Sequence, residues 1–470
     1  MKPQYLQLLI YFVLVPISIL AQEGNYRYES YGNQSVLLNG NVTGSAEDLG
    51  LTFYNPARLA FIEEPSIVIA GKAFQLINYN LQDVFESDVD LNESNFNGIP
   101  SIISGTFNVK FLPNHSFAYS FISRYRSDIN LDYNSGVRTG LPIGDLPDVT
   151  QSFMEIFFRN RLRDEWYGIS WAHKLNNNFS IGASLFGSIY ELNGLGTIVI
   201  SAEQEQGNVV SYLSRTDFTQ KTYGLFLRIG AAWQVDKVSM GLNVALPFLA
   251  FKKRANLNSE EFLSGIGLSE DFFRVVDLDD LESERKTATS ISYGLGFPIG
   301  KSKLHFSADY ALDVPEYQRI TLPGIPDEFG LQQFSFNEEF KAVFNFGAGA
   351  DIYVSPSLRV LVSFSSDFSA ALDNPNLFDV VNQSQSNINL FGDFWHFGLG
   401  PDLSFKWGKI TLGTTYSRSS NQISEAPDIP DGEDDAPLSL TTAIGFERWR
   451  FIIGLEIPLI SKKIKGLPIK

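Results

Sequence analysis

The stretch "YGLFLRIGAAWQVDKVSMGLNVALPF" at residues 223–248 decides the fold, because apolar residues occupy every second position along it. Small and polar residues fill the places between them. A single Asp-Lys pair at 236–237 separates two such segments. This period of two predicts two β-strands, each with one apolar face and one face of small and polar side chains.

A two-residue turn at Asp236-Lys237 would join these strands as an antiparallel hairpin. The cross-strand pairs that this turn predicts are Val235–Val238, Trp233–Met240 and Ile229–Val244. In each pair an apolar side chain meets another one, so the two strands agree on which face is apolar.

The same alternation recurs along the chain and predicts an all-β protein of about fourteen strands. The segments lie near 66–79, 98–112, 115–133, 160–175, 178–201, 209–235, 238–254, 286–299, 303–320, 338–354, 358–370, 393–407, 409–422 and 438–460. Within the last segment the phase changes at Glu447-Arg448. We interpret this change as a β-bulge, and a hairpin that makes two strands is the alternative.

Composition and charge argue against several classes of function. The 470 residues include 39 Phe and 38 Gly but no Cys, which excludes disulfides, thiolate metal sites and a Cys nucleophile. The net charge of −17 argues against nucleic-acid binding. The four His residues show no metal or catalytic spacing and no G-x-S-x-G motif occurs, so we predict neither an enzyme nor a cofactor.

The first 21 residues resemble a secretory signal. Lys2 precedes an apolar run from Leu6 to Leu20, and Ala21 precedes polar residues, so we expect cleavage after Ala21. No later stretch has the roughly 18–20 apolar residues of a spanning helix.

The lengths of the connections between strands indicate a membrane protein. Short turns near 176–178, 236–237 and 355–357 alternate with long acidic segments such as "VDLDDLESE" at 276–284. This asymmetry is typical of transmembrane antiparallel β-barrels of the outer membrane, with short turns facing the periplasm. Aromatic residues near strand ends suit interfacial girdles: Trp233, Phe297, Trp407, Phe446 and Trp449. A soluble propeller or sandwich is the alternative, but its strands are shorter.

Residues 22–65 precede the first strand and would fill the lumen as an N-terminal plug. Within them, "GSAEDLGLTFYNPARLA" at 44–60 resembles the N-terminal hatch of the FadL/TodX-type transporters of long-chain fatty acids and other hydrophobic compounds. The resemblance implies a fourteen-stranded barrel over residues 66–470 and assigns Asn55, Pro56 and Ala57 to the hatch.

The family resemblance also implies extracellular helices that form an apolar ligand site. In the long loop 255–285 we predict short helices over 257–282, with Ser259 and Ser269 as caps. The predicted ligand-binding residues are Phe262, Leu263, Ile266, Phe272, Phe273 and Val276, with Arg254 for an anionic head group. Packing of these helices on the barrel rim, and lipopolysaccharide binding by Arg254, are the alternatives.

Two prolines lie inside predicted strands, where the missing N–H donor disturbs pairing. Pro247 or Pro401 would mark a lateral opening in the wall, as the resemblance implies, or only a bulge that shapes the barrel.

Together with the barrel pattern, the resemblance implies passive transport of hydrophobic small molecules across the outer membrane of a Gram-negative bacterium, of the Bacteroidota in particular. The expected contacts are outer-membrane lipid, lipopolysaccharide and the ligand. The alternative is a protein-binding component, because the architecture also resembles the PorV-type shuttle of the type IX secretion system. A porin-like channel for polar solutes is a third possibility.

Overall fold

The computed structural model describes residues 24–62, 65–84, 87–95, 100–107, 109, 111–112, 114–139, 148–266, 271–323, 336–371, 392–424 and 441–459. The predicted signal segment 1–21 lies outside this part of the chain, as do most of the predicted loops 371–392 and 422–437.

The described residues form a closed antiparallel barrel. The strands of the described residues are β1 (Ser66–Val84), β2 (Ser87–Asn95), β3 (Pro100–Phe107), β4 (His115–Asn134), β5 (Arg138–Thr139), β6 (Val149–Asn176), β7 (Phe179–Gln204), β8 (Val209–Val235), β9 (Val238–Ala245), β10 (Leu249–Ser264), β11 (Phe272–Ser283), β12 (Ser290–Ile299), β13 (Ser302–Ala311), β14 (Val314–Gln318), β15 (Ile320–Thr321), β16 (Asn337–Phe340), β17 (Val343–Ser355), β18 (Leu358–Asp367), β19 (Asp393–Ser404), β20 (Lys409–Ser424) and β21 (Thr441–Pro458). β14 and β16 pair with each other in a separate two-stranded sheet, and the other strands belong to the barrel sheet. Strands that continue one another, such as β9 and β10, cross the barrel as one unit, which gives the predicted fourteen crossings. β1 pairs with β21 from Ser66↔Pro458 to Gln82↔Ala443 and closes the ring.

The predicted hairpin and its two faces are confirmed. β8 and β9 pair with Val235 opposite Val238, Trp233 opposite Met240 and Ile229 opposite Val244. On the outer face Ile229 is 47% exposed, whereas the neighbouring Arg228 on the inner face is 9% exposed. The exposed apolar face therefore points away from the lumen, where lipid would cover it.

Exposed aromatic residues lie near both ends of the outer face of β19, at a spacing that fits a bilayer. Trp395 and Phe405 are both on the outer face and ten residues apart. At about 3.3 Å per residue and a tilt of about 40°, they are separated by about 25 Å along the barrel axis, the height of the apolar band in outer-membrane barrels. Phe446, which we expected in a belt, instead lies inside the barrel against Tyr28 and Phe394.

The β-bulge predicted within the last strand, at Glu447-Arg448, is absent from the pairing of that strand with β20. β21 is one strand, and its register with β20 continues without a shift through Glu447 and Arg448. The apparent change of phase arises because Phe446 lies on the inner face and Glu447 on the outer face, where it accepts a hydrogen bond from Tyr416. The bulge lies in β1 instead, between Lys72 and Phe74.

The helices predicted over 257–282 are wrong for the described residues 257–266 and 271–282, and the predicted cap Ser269 lies outside this part of the chain. The described parts of this segment are the strands β10 and β11, and β10 pairs with β8 as far as Ser264↔Ser211. β8 extends well beyond the membrane band, and its free edge needs a hydrogen-bonding partner. This long-range requirement outweighs the local cap pattern, so Ser259 pairs within the sheet rather than capping a helix.

Residues 24–62, named here the inner segment, lie inside the barrel. They contain the helices α1 (Gln34–Leu37) and α2 (Leu51–Tyr54) and the 3-10 helix η1 (Pro56–Phe61). Their apolar side chains form the main buried cluster together with inward residues of the strands, such as Ile102 and Trp166. Among the described residues no helix has the length and apolar character needed to cross a bilayer.

Glycines on the inner face of the wall allow the backbone of the inner segment to approach closely. A Cβ atom at Gly294 would overlap the backbone of Gly44, and one at Gly241 would overlap the carbonyl oxygen of Thr43. The small residues between the apolar positions therefore serve as a docking surface for the inner segment.

Gly294→Leu should lower the free energy of unfolding by about 1–3 kcal/mol, because the added side chain overpacks this contact. Urea unfolding in detergent micelles measures the change. Gly187→Leu is the matched control, since a Cβ there meets only the Tyr167 carbonyl oxygen, at 3.8 Å. Equal effects of the two substitutions would contradict close docking.

Candidate functional site

The predicted motif Asn55-Pro56-Ala57 fixes the inner segment to the wall. The Asn55 side chain caps η1 by accepting a hydrogen bond from the Ala57 N–H at 3.1 Å, and Pro56 occupies the first helical position. The Asn55 Nδ2 donates to the carbonyl oxygens of Thr43 (2.9 Å) and Ala231 (3.1 Å). Ser180 donates to the Ala57 carbonyl at 2.8 Å. One amide side chain thus joins two parts of the inner segment to β8.

A buried charge cluster holds the other end of the inner segment. Glu29 Oε1 lies 3.0 Å from Lys72 Nζ and 3.3 Å from an Arg448 nitrogen, and Glu29 Oε2 lies 2.7 Å from an Arg450 nitrogen. The Arg448 guanidinium also lies 3.5 Å from the Tyr28 ring centroid. Three cations of the wall therefore share one carboxylate of the inner segment.

This cluster sets the protonation of Glu29. Burial acts to raise the Glu29 pKa, but Lys72, Arg450 and Arg448 together outweigh burial and lower that pKa to about 2. The carboxylate is therefore ionised at neutral pH, as the three cations require.

A cavity of about 60 Å³ lies between the inner segment and the wall. Its lining is polar and charged as well as aromatic: Arg27, Glu29, Phe53, Arg124, Arg228 and Asp309 are among the residues that line it. We name it the central cavity.

A Ser–His–Asp arrangement also occurs inside the barrel. Ser417 Oγ lies 2.7 Å from His396 Nδ1, and Asp367 Oδ2 lies 3.4 Å from His396 Nε2. All three side chains are buried, and none of them lines the central cavity. Asp367 also accepts the Arg27 N–H at 2.9 Å, so the arrangement fastens the inner segment rather than presenting a nucleophile.

The predicted ligand-binding residues lie on two paired strands at the outer end of the barrel. Leu263, Ile266 and Phe272 belong to an apolar cluster with Ile200, Val210 and Tyr212. Phe262 pairs with Phe273, which is 70% exposed. Val276 is buried on the inner side, and Arg254 is exposed and paired with Asp280 at 3.0 Å. Arg254 therefore does not join the apolar cluster.

The two prolines differ in their effect on the wall. At Pro401 the pairing between β19 and β20 skips Gly400 and Pro401 and resumes in the same register, and on its other side Pro401 stays opposite Val360 of β18. Pro247 lies between β9 and β10. The pairing of β9 with β12 ends at Ala245↔Ser290, and pairing resumes between β10 and β11 at Ala255↔Leu281. Residues 246–254 and 282–289 between these pairs form what we name the wall gap.

The second side of the wall gap bends into the lumen. Arg285 reaches Asp164 of β6, with 2.9 Å between a guanidinium nitrogen and Asp164 Oδ2, and its guanidinium lies 3.9 Å from the Tyr190 ring centroid. Across the gap, the Phe248 N–H donates to Thr287 Oγ1 at 2.6 Å. The gap is thus covered from inside by 284–289.

Solved structures share the fold of this chain over nearly its whole length. A Pseudomonas aeruginosa FadL homologue matches with a TM-score of 0.55 and 13% identity, over 93% of this chain and 100% of the other. The Pseudomonas putida toluene transporter TodX matches with a TM-score of 0.57 and 13% identity, over 92% and 99%. The Ralstonia pickettii toluene transporter TbuX matches with a TM-score of 0.50 and 11% identity, over 92% and 98%.

The chain has the FadL/TodX fold. No family model matches the sequence, and no curated protein does either. At these identities the resemblance is one of fold, which three-dimensional comparison detects after sequence similarity has faded.

Sequence reasoning missed the charged residues inside the FadL/TodX-type barrel. A signal was present in β21, where Arg448 and Arg450 alternate with Trp449 and Phe451, so that cations fall on the inner face. Their partner Glu29 was not recognisable, because it lies in an irregular segment more than 400 positions away.

Glu29→Gln should destabilise the folded barrel by about 3–5 kcal/mol, because it leaves three cations around a neutral side chain in a buried site. The stabilisation by Glu29 is present above its ordinary pKa of about 4.5 and is lost as the pH falls through about 2. Urea midpoints measured from pH 7 to pH 2 in wild type and variant give both quantities.

The variant should lack the acid-dependent part of the wild-type profile. Glu205→Gln, in an exposed turn, is the control and should follow wild type. Parallel pH profiles for Glu29→Gln and wild type would show that the cluster does not hold the inner segment.

Proposed function

We propose that this chain carries hydrophobic small molecules, such as long-chain fatty acids, across the outer membrane of a Gram-negative bacterium. The observation that carries the proposal is a lipid-facing closed barrel whose lumen is filled by its own inner segment. Proteins with the same fold are described as toluene transporters and a monoaromatic hydrocarbon channel, which supports the substrate class. Transport in this proposal needs no energy source and follows the concentration gradient. Burial of the acyl chain of the ligand, at about 0.8 kcal/mol per CH₂, supplies enough free energy for its capture.

In this proposal the inner segment is a hatch that moves. The central cavity of about 60 Å³ is far smaller than the roughly 300–1,000 Å³ of a ligand pocket. A ligand therefore cannot pass while the inner segment stays docked. The docking depends on hydrogen bonds and close contacts, which can break and reform, as at Asn55.

The exposed apolar side chains of β11 are the proposed first contact for the ligand. Phe273 and Val275 are 70% and 47% exposed, and Phe262 of β10 lies opposite Phe273. An apolar molecule arriving from outside would bury surface against these side chains. The site is formed by paired strands instead of the predicted helices.

The wall gap is the proposed lateral exit. It opens beside Leu249 and Phe251, which are 66% and 68% exposed on the outer face. Lys252, Lys253 and Arg254 follow directly, and such exposed cations suit phosphates of lipopolysaccharide at the membrane surface. Nothing among the described residues or the structural relatives favours the alternative role in a type IX secretion system.

A disulfide lock tests the hatch. The chain has no cysteine, and an ideal Cβ at Gly24 would lie 3.6 Å from the Ala371 Cβ, within the range for a disulfide. Oxidised Gly24→Cys/Ala371→Cys should lose at least tenfold in uptake of radiolabelled dodecanoate by cells, because the inner segment cannot move. Reduction should restore uptake.

Each single-cysteine variant is a control for the lock and should transport as wild type under both conditions. Full uptake by the oxidised double variant, with the cross-link verified by mass spectrometry, would overturn the moving hatch.

A pair of adjacent substitutions tests the exit. Ala250 faces inward opposite Gly224, beside the wall gap, and Leu249 faces outward. Ala250→Trp should reduce dodecanoate uptake severalfold by filling the gap, whereas Leu249→Trp should leave it unchanged. Equal uptake by both variants at equal expression would exclude this exit.

A further inference from the structure

Four arginines lie together on the outer face of β4 and β6. Arg126 of β4 is directly opposite Arg163 of β6, and Arg161 and Arg159 follow at the next two outward positions of β6. Arg126 and Arg163 are exposed, and the side chains of Arg161 and Arg159 are 45% and 38% exposed. We name these four residues the arginine patch.

The arginine patch lies at the height where the membrane meets the outer water. On the outer face of β6, His173 is beside the short turn 176–178, and such turns face the periplasm in barrels of this kind. Arg163 is ten residues from His173 along the strand. At about 3.3 Å per residue and a tilt of about 40°, this distance is about 25 Å along the barrel axis, the height of the apolar band. Arg163 therefore lies at the outer boundary of the band, and Arg161 and Arg159 lie beyond it.

One carboxylate restrains two of the four arginines. Asp128 Oδ2 accepts hydrogen bonds from Arg161 Nε at 3.0 Å and Nη2 at 2.8 Å, and Asp128 Oδ1 lies 3.5 Å from Arg159 Nε. Each guanidinium has five N–H donors, so both arginines keep donors that Asp128 does not use. Asp128 thus holds the two side chains in place without filling their hydrogen-bonding capacity.

The other two arginines have no such partner. Neither Arg126 nor Arg163 forms a salt bridge or a hydrogen bond within the part of the chain that the structure describes. Glu165, the next outward residue of β6, accepts a hydrogen bond from Ser123 at 3.3 Å, and Glu191 of β7 is opposite Arg163 without a salt bridge to it. Like charges directly opposite each other on one face of a sheet destabilise it. The pair Arg126–Arg163 therefore favours an anion that both guanidinium groups can share.

The outer face just below the arginine patch suits the apolar part of a lipid. Tyr167 is 54% exposed and lies opposite Phe121, with 5.1 Å between the ring centroids, and Ile169 is 60% exposed. A phosphate accepts two parallel hydrogen bonds from a guanidinium, and phosphates of membrane lipids attract cations at the membrane surface. A lipid with its phosphate at the patch would place its acyl chains along these apolar side chains.

We propose that the arginine patch binds a phosphate group of lipid A, the phosphorylated glycolipid part of lipopolysaccharide, with Arg126 and Arg163 as the principal ligands. The site is on β4 and β6, apart from the cations beside the wall gap. It rests on the outer-membrane location of the barrel and not on the molecule that the barrel transports.

Binding of lipid A to the full chain in detergent micelles, without any transported ligand, tests the site. Wild type should bind bisphosphorylated lipid A at least tenfold more tightly than the same lipid without phosphates, as expected for charge-assisted hydrogen bonds. Arg126→Gln/Arg163→Gln should lose this preference. Arg418→Gln is the matched control and should bind as wild type, because Arg418 is an exposed arginine on the outer face of β20, opposite Trp395.

Three outcomes of this experiment would overturn the proposal. They are equal affinity of wild type for the two lipids, an unchanged preference in the double variant, and displacement of lipid A by inorganic phosphate beyond the effect of sodium chloride at equal ionic strength. The last outcome would assign the arginine patch to free phosphate.

Urea unfolding separates lipid binding from a structural role of the arginines. Without lipid A, Arg163→Gln should unfold at the same or a higher urea concentration than wild type, because the substitution removes the repulsion from Arg126. Lipid A should raise the urea midpoint of wild type but not that of the variant. A lower midpoint of the lipid-free variant, or an equal rise for both proteins with lipid A, would contradict the lipid site.

Discussion

The structure depends on the need to satisfy every backbone hydrogen bond where water is absent. In hydrocarbon an unpaired strand edge costs several kcal/mol per group, so a membrane-spanning sheet must close on itself. The ladder between β1 and β21 meets this requirement. The outward apolar face follows from closure, because alternate side chains of each strand must then face lipid.

Closure leaves a lumen that must be filled, and the filling explains the composition of the inner face. Glycines at the centre of the wall strands admit the backbone of the inner segment, as Gly294 admits Gly44. Charged pairs farther along the lumen, such as Glu29 with Arg450, hold its beginning. Both kinds of contact are non-covalent, so they are compatible with the proposed movement of the inner segment.

The local pattern predicted the barrel well, because strand period, hairpin register and crossing number are properties of neighbouring residues. The pairs around Asp236-Lys237 were correct for this reason. The errors occurred where distant partners decide the outcome. Residues 257–264 continue as a strand because β8 offers them an edge, and Phe446 faces inward because Tyr28 fills the lumen beside it. The charged lining of the central cavity was not predictable either, since it joins residues from five or more separate elements.

An accessibility scan of β8 tests the central claim, a closed barrel with lipid outside and the inner segment inside. The absence of cysteine permits single spin labels at positions 225 to 233 in lipid vesicles. We predict that labels at Leu225, Leu227 and Ile229 collide freely with oxygen dissolved in the bilayer, and that labels at Phe226, Arg228 and Gly230 are shielded. Accessibility that does not alternate, or that is high for a water-soluble reagent at both sets of positions, would contradict the account.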